Sequence, residues 1–581
     1  MVSRLRVGET LPVNAADEIK QLATQLRQAR RRLAGMVSAT PTPEQALTFR
    51  AALAEASESK EVLEKQLAGL NPATQRALEI RNATVNDLLK QLPAGVAVID
   101  LVLLSDVDYV DEKITLKRVD GTTEERTVKR QKSVPVFYAF VLRSDASKEE
   151  DEAAVTWVQL GLSAPINTAV AAWRAQLTGI EDTSAVITNS VEVNAANKID
   201  DPAQQLRALI WDKLEPELQG CNTVILLPDG DLHRLPWSAL PGQKPGTFLI
   251  DDYALGTAAY GQQLFGLLSA EAVESSGQLL IAGGIRYDER REAAPASNSD
   301  NIPLLANLNR GINLSVEDRS WSYLTGTDQE GKAIQNLWAD RGHSTLLAGL
   351  AADEQAVGDV LTRSRYAHLA THGFFDKTAE VYQVNLRELS QFKTEFAGGE
   401  RGATVAARNP LLMSGIVLAG ANLGPRKDKL GLPTSDDGIL TAEEIVGLDL
   451  HNTELVTLSA CETGLGDVAA GEGVFGLQRA LHQAGARSVI ASLWKVDDAA
   501  TQVLMTEFYR HLWDEKLSKI EALRQAQLTM LRTYDPESGQ LRGLGAKSEK
   551  IDTNKKPGPT SAAIRLDPRY WAAFQLSGDG R

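Results

Sequence analysis

Glu454–Gly466 reads ELVTLSACETGLG, and Tyr366–Phe375 reads YAHLATHGFF. Each is a short apolar run that stops at a reactive side chain with glycine close behind: Cys461 in the first, His372 followed by Gly373 in the second. Runs this short, bounded by glycine, read as buried strands of a parallel sheet. In open parallel sheets the ligand crevice lies beyond the carboxyl ends of the strands, which is where both reactive side chains fall.

The same reading extends on both sides. Leu279–Ala282 (ending in Gly283-Gly284), Ser344–Leu347, Ile416–Ala419 and Ser488–Leu493 are expected strands. They alternate with expected helices at Gln329–Asp340, Glu354–Thr362, Ala442–Val446, Gly473–Ala484, Ala499–Leu512 and Ile520–Arg532. This alternation predicts an α/β fold, a sheet with helices on both faces. Upstream, Val96–Leu104, Val136–Leu142, Val155–Leu160 and Thr223–Leu227 are further strands. Asp106–Lys132 is charged and reads as a long hairpin or loop, and Ala164–Leu177 and Asp201–Glu217 read as helices. Near the N-terminus, Ile19, Leu22, Leu26, Ala29, Leu33 and Met36 form one heptad seam. Ala46, Phe49, Leu53, Ala56, Lys60, Leu63, Leu67 and Leu70 form a second, beyond Pro41 and Pro43, which predicts an antiparallel helical hairpin. The expected domains are a helical region over 1–93, an α/β domain over 94–265 and a second α/β domain over 266–581.

Composition narrows the function. The 581 residues carry 61 Lys+Arg against 76 Asp+Glu, a net charge of −15. An acidic surface repels phosphate backbones and anionic lipid, so neither nucleic acid nor membrane is an expected partner. Two cysteines, Cys221 and Cys461, exclude a disulfide framework and point to a reducing compartment. The first residues lack the apolar core of a signal peptide, and no apolar run of spanning length occurs, so a bacterial-type cytoplasmic protein is expected.

A thiolate and an imidazole at neighbouring strand ends are what a cysteine peptidase requires, one as nucleophile and the other as proton carrier. Backbone N–H groups of Gly373 and Cys461 are the natural oxyanion donors. Plainer readings exist: a cysteine closing a strand is often a small buried hydrophobe, and a histidine there a polar cap. His368 and His372 are spaced as a helical metal pair would be, but they sit in a strand pattern without the accompanying glutamate, so no metal or other cofactor is expected.

Beyond these residues, HLATHGFF, NPLLMSGIVLAGAN, DDGILTAEEIVGLDL, LSACETGLGDVAAGEGVFGLQRALHQAGARSVIASLWKVDD and RYWAAFQLSGDG resemble the CHAT family of caspase-like cysteine peptidases, related to separase and the caspases. The resemblance is strong over 278–580 and weaker over 94–265, where LLPDGDLHRLPWSAL carries it. It implies a Cys461–His372 dyad, an oxyanion hole at Gly373 and Cys461, a thioester intermediate and a degenerate pseudo-caspase half over 94–265. It also implies that Ser492 and Trp494 contact substrate along a strand edge. Asp498, or its neighbour Asp497, would receive a basic P1 side chain. An N-cap role for either aspartate is the alternative, because a helix begins near Ala499. The expected activity is an intracellular endopeptidase acting on protein substrates under a regulatory protein or signal. A silent caspase-like scaffold and a thiol acyltransferase are the other readings, the latter lacking any phosphate-binding glycine loop. No tetratricopeptide array is recognisable. Irregular stretches at 288–310, 377–408 and 543–561 read as loops, and the first two are candidate lids or processing sites.

Overall fold

The computed structural model describes residues 82–117, 123–143, 155–179, 201–270, 277–291, 320–375, 414–424, 437–459, 467–469, 473–494, 496–541 and 565–581, with a few isolated positions before residue 81. The chain divides into two compact units, Met1–Gln91 and Leu92–Arg581. In the first, helix α1 spans Val85–Gln91. The two heptad seams lie outside the described residues, apart from isolated helical positions such as Leu22 and Leu63. The expected loops lie outside them as well, except for residues 288–291.

The second unit is built on one sheet of eleven strands. In chain order the strands are β1 (Val96–Lys117), β2 (Thr123–Arg143), β3 (Val155–Leu162), β4 (Thr223–Leu227), β5 (Ala254–Thr257), β6 (Leu279–Ile285), β7 (Ser344–Gly349), β8 (Tyr366–Ala370), β9 (Gly373–Phe375), β10 (Ser414–Val417), β11 (Ile439–Thr441), β12 (Leu455–Ser459), β13 (Asp467–Ala469), β14 (Gly473–Phe475), β15 (Ser488–Ser492), β16 (Tyr534–Asp535), β17 (Gln540–Leu541) and β18 (Phe574–Gly578). The large sheet runs β3-β2-β1-β4-β5-β18-β15-β12-β8-β6-β7, while β11-β10-β9, β13-β14 and β16-β17 form small separate sheets.

Continuous apolar strands explain the layering. Every residue of β6, β12 and β15 is buried, as expected of strands covered on both faces. Alternate side chains divide between two cores. Leu279, Ile281, Leu455 and Ile490 join one core, with Ile334 and Trp338 of the helix Thr325–Trp338 and Leu504, Phe508 and Tyr509 of the helix Asp498–Trp513. Leu280, Ala282, Ala367, Leu369, Val456, Leu458, Val489 and Ala491 join the other, with Val357, Leu361, Ile445, Leu477 and Leu481. The flanking helices are α2 (Ser163–Thr178), α3 (Pro202–Leu206), α4 (Gly261–Leu268), α5 (Thr325–Trp338), α6 (Glu354–Leu361), α7 (Ala442–Val446), α8 (Leu477–Ala484), α9 (Asp498–Trp513) and α10 (Lys519–Thr533).

Three features differ from the sequence reading or go beyond it. The segments 94–265 and 266–581 share a single sheet, because β18 pairs antiparallel with β15 and parallel with β5, at Ser577 and Thr257. Gly473 does not begin a helix: 473–475 pairs with 467–469 as a hairpin, and the helix starts at Leu477 after Gly476. Three glycines between 471 and 476 weaken the helix there. The charged segment after Ser105 is a hairpin: β1 and β2 stay paired from Ala97–Arg143 out to Lys117–Thr123, whereas β4 accompanies β1 only over Val96–Asp100.

Candidate active site

β8 and β12 lie side by side and parallel, with Ala370 opposite Ser459. His372 follows the first by two residues. Cys461 follows the second by two residues and lies outside the described residues.

Ser322, Tyr287 and Trp321 are among the neighbours of the His372 ring. Its Nε2 lies 2.7 Å from the carbonyl oxygen of Ser322. A carbonyl can only accept, so Nε2 carries the proton and Nδ1 is the nitrogen able to take one. The rings of Tyr287 and Trp321 flank it, with centroids 5.2 and 5.3 Å away. Tyr287 is held in turn by a 3.0 Å hydrogen bond between its hydroxyl and that of Thr371.

The carbonyl that orients His372 belongs to the lead-in to α5, and Asn422 clamps that segment. Its side-chain oxygen accepts from Trp321 N at 2.8 Å, and its amide nitrogen donates to Trp321 O at 3.0 Å and to Asp288 at 2.7 Å. Ser322 does not stand out in the sequence, because a backbone acceptor has no residue signature; Asn422 closes the NPLLMSGIVLAGAN stretch and lies in the short 3-10 helix Ala421–Leu423, but the stretch alone does not assign it this clamp.

Gly373 opens β9. Val417 N donates to His372 O at 2.8 Å, which makes His372 and Phe374 the residues that hydrogen-bond across to β10. The Gly373 N–H therefore points away from β10.

The residues expected to contact substrate are distributed as follows. Ser492 is buried in β15, opposite Phe574. β15 is paired on both edges, with β12 and with β18, and Leu493 N just beyond it donates to Ala573 O. Trp494 is 3% exposed, and its indole nitrogen donates to Arg569 O at 3.2 Å. Asp497 is the N-cap of α9, accepting from Ala499 N and Ala500 N at 3.0 and 3.1 Å. Asp498 is exposed and lies against Gly326, where an added Cβ would come within 2.9 Å of its own Cβ. Gly326 is in the first turn of α5, so Asp498 shares a rim with the Ser322–His372 contact.

The corresponding strand ends of the upstream half carry different chemistry. Asp100 closes the β4-paired part of β1, and Asp229 and His233 follow β4. Burial pushes the Asp100 carboxyl up to about 6, with Asp229 adding to the rise. Burial draws His233 down to about 4, opposed by Asp229 and assisted by Arg479. Cys221 precedes β4, at the other end of the strand. Among the described residues no group of three or more His, Cys, Asp or Glu is arranged to hold a metal ion, and no helix is long and apolar enough to cross a membrane.

The family model of the CHAT domain matches residues 200–579, more than half of the sequence. The chain belongs to the CHAT domain family. Human tetratricopeptide repeat protein 28 is 23% identical to this CHAT protein over 291 residues, covering 50% of this chain and 10% of that one. The mouse protein is 24% identical over 290 residues, with the same coverage. The chain thus spans about a tenth of the length of these curated relatives. Among solved structures, the Arg-specific cysteine proteinase gingipain R of Porphyromonas gingivalis aligns with a TM-score of 0.35 and 11% identity, covering 71% of this chain and 74% of its own. The Saccharomyces cerevisiae separase–securin complex aligns with a TM-score of 0.38 and 10% identity, covering 98% and 38%. The CHAT chain has a mixed α/β fold with a large central sheet flanked by helices.

Proposed function

We propose that this CHAT protein is a cysteine endopeptidase whose nucleophile is Cys461 and whose proton carrier is His372. The observation that supports it best is the β8–β12 register. Ala370 and Ser459 are opposite each other, and His372 and Cys461 each follow by two residues on strands about 4.8 Å apart. In the reaction Cys461 Sγ attacks the scissile carbonyl carbon while its proton resides on His372 Nδ1. The amine leaves with that proton, and the acyl group remains as a thioester. Water, deprotonated by His372, then releases the acid and frees the thiol. The Ser322 carbonyl keeps Nε2–H engaged, and the proton-carrying role is assigned to Nδ1. The Gly373 N–H, directed away from β10, and the N–H of Cys461 are the proposed oxyanion donors.

For P1 we favour Asp498 over Asp497, whose carboxylate is spent on the N-cap, and a basic side chain is the matching ligand. The half over 94–265, with Asp100, Asp229 and His233 at its strand ends and Cys221 at the opposite end, acts as a pseudo-caspase support. Two cysteines alone suit a reducing cytoplasm.

The test is a cleavage-site survey of a cell lysate with the parent protein and with Cys461→Ala, together with an acyloxymethyl ketone carrying Arg at P1. Cleavage should fall at least about 10³-fold in the variant, and the reagent should label Cys461. Cleavage that persists in Cys461→Ala overturns the assignment.

A further inference from the structure

Beneath the strand ends lies a closed set of buried polar groups that the proposed chemistry does not use. Glu330 of α5 receives the Ser459 hydroxyl at 2.9 Å and His368 Nε2 at 3.0 Å on one carboxylate oxygen. His368 Nδ1 lies 3.2 Å from the Tyr509 hydroxyl, which donates to the Thr457 hydroxyl at 2.9 Å. Glu330 is 3% exposed, and His368, Tyr509 and Thr457 are sealed completely. Burial pushes the Tyr509 phenol up, against the Thr457 hydrogen bond.

Packing does not explain this set. Glu330 falls on the buried stripe of α5, between Thr327, Ile334 and Trp338, where an apolar side chain would serve. Taking a carboxylate out of water costs several kcal/mol, and well-packed apolar residues often match or exceed a buried ionic cluster in stability. What a connected polar cluster supplies is a fixed geometry. The elements it connects are informative. Ser459 lies two residues before Cys461, and His368 four before His372, so the Glu330 oxygen bridges the nucleophile strand and the base strand. The same helix begins just after Ser322, whose carbonyl orients His372, and its first turn abuts Asp498.

We infer that Glu330 is the positioning residue of the dyad, fixing β12 against β8 through Ser459 and His368 so that Cys461 and His372 come into register. The inference rests on the dyad reading and adds a residue to it. A displacement of about 1 Å between reacting groups can cost on the order of 10²-fold, so a device that fixes two strand ends is matched to the need.

The test uses the full chain and needs no substrate. Iodoacetamide alkylation of Cys461 is followed by quantitative mass spectrometry between pH 5.5 and 9, with Cys221, just before β4 and four strands along the sheet from β12, as the internal reference. The variants are His372→Ala, Ser459→Ala and Glu330→Gln. In the parent protein Cys461 should react at pH values where an ordinary thiol, with a pKa near about 8.5, does not. Ser459→Ala and Glu330→Gln should slow it about tenfold at pH 6.5 and return its pH profile toward that of an ordinary thiol, with Cys221 unchanged. If His372→Ala slows Cys461 and the other two variants do not, the positioning role is overturned and the dyad stands. If Cys221 accelerates in step with the change at Cys461, Glu330 is a general structural residue and the inference is overturned. If His372→Ala itself leaves Cys461 unchanged, the dyad is overturned and this inference with it.

Discussion

Replacing Asp579 by Asn should loosen the joint between the two halves of the sheet. Asp579 is 2% exposed and follows β18 directly. Its carboxylate accepts from Arg487 Nη2 at 2.7 Å and from Arg581 Nε and Nη2 at 2.8 and 2.9 Å. Arg581 in turn donates to the carbonyls of Leu267 and Leu268, at the end of α4, the helix that follows β5. Burial raises the Asp579 carboxyl, but the Arg581 hydrogen bond, the Lys519 charge and Arg487 outweigh it and hold it at about 2, against an ordinary 3.8. At about 1.36 kcal/mol per pH unit, the charged form contributes roughly 2 kcal/mol at neutral pH. The folded value is the lower one, so this contribution is complete above pH ~5, roughly halved near pH 3 and gone below both values. Asparagine removes it and leaves Arg487 with the more distant Glu454 carboxylate, at 3.8 Å. The assay is native-state hydrogen exchange at the β18 amides. A loss of roughly 2 kcal/mol in local opening is about 30-fold faster exchange at pH 7, shrinking as the pH falls toward 3. Exchange within about threefold of the parent at pH 7, or an acceleration as large at pH 3 as at pH 7, would refute the reasoning.

Two further outcomes follow from the same physics. Asp100 has a folded value of about 6, raised above 3.8, so its stabilising contribution holds below pH 4 and is lost as pH rises through 6. Asp100→Asn should therefore stabilise the protein by about 2–3 kcal/mol at pH 7.5 and hardly at pH 4, as read by urea denaturation at the two values. Asn422→Ala removes both clamps on Trp321, roughly 2 kcal/mol of hydrogen bonding, and frees the segment that presents the Ser322 carbonyl. Iodoacetamide should then alkylate Cys461 about tenfold more slowly at pH 6.5, with the thermal midpoint within about 2 °C of the parent.

The legible parts of the fold are those in which local pattern and burial coincide. β12, β15 and β6 are continuous apolar runs because both their faces are covered, and such runs are short, glycine-bounded and recognisable. The Asp497 cap was equally readable, since an aspartate ahead of a helix has a mechanism attached to it. What escaped were contacts with no residue signature. The Ser322 carbonyl that orients His372 is backbone, and β18 pairs with β5 across more than three hundred residues of chain. Glu330 does break the apolar stripe of α5, and that irregularity was the available signal. It passes unnoticed because an isolated glutamate in a helix is usually solvated. The pairing of β15 with β18 is equally hidden in the sequence, because the partner strand arrives from far downstream.

That joint bears on how the protein is made. Ten strands of the large sheet precede β18 in translation order, so a polypeptide interrupted on the ribosome before Phe574 carries two bare strand edges, at β5 and at β15. Bare edges are templates for misassociation and attract quality control. The Leu493 backbone, next to the region proposed to meet substrate, also lacks its Ala573 partner in such a fragment. The large sheet, and the backbone beside the proposed cleft, are thus completed only when β18 docks between β5 and β15.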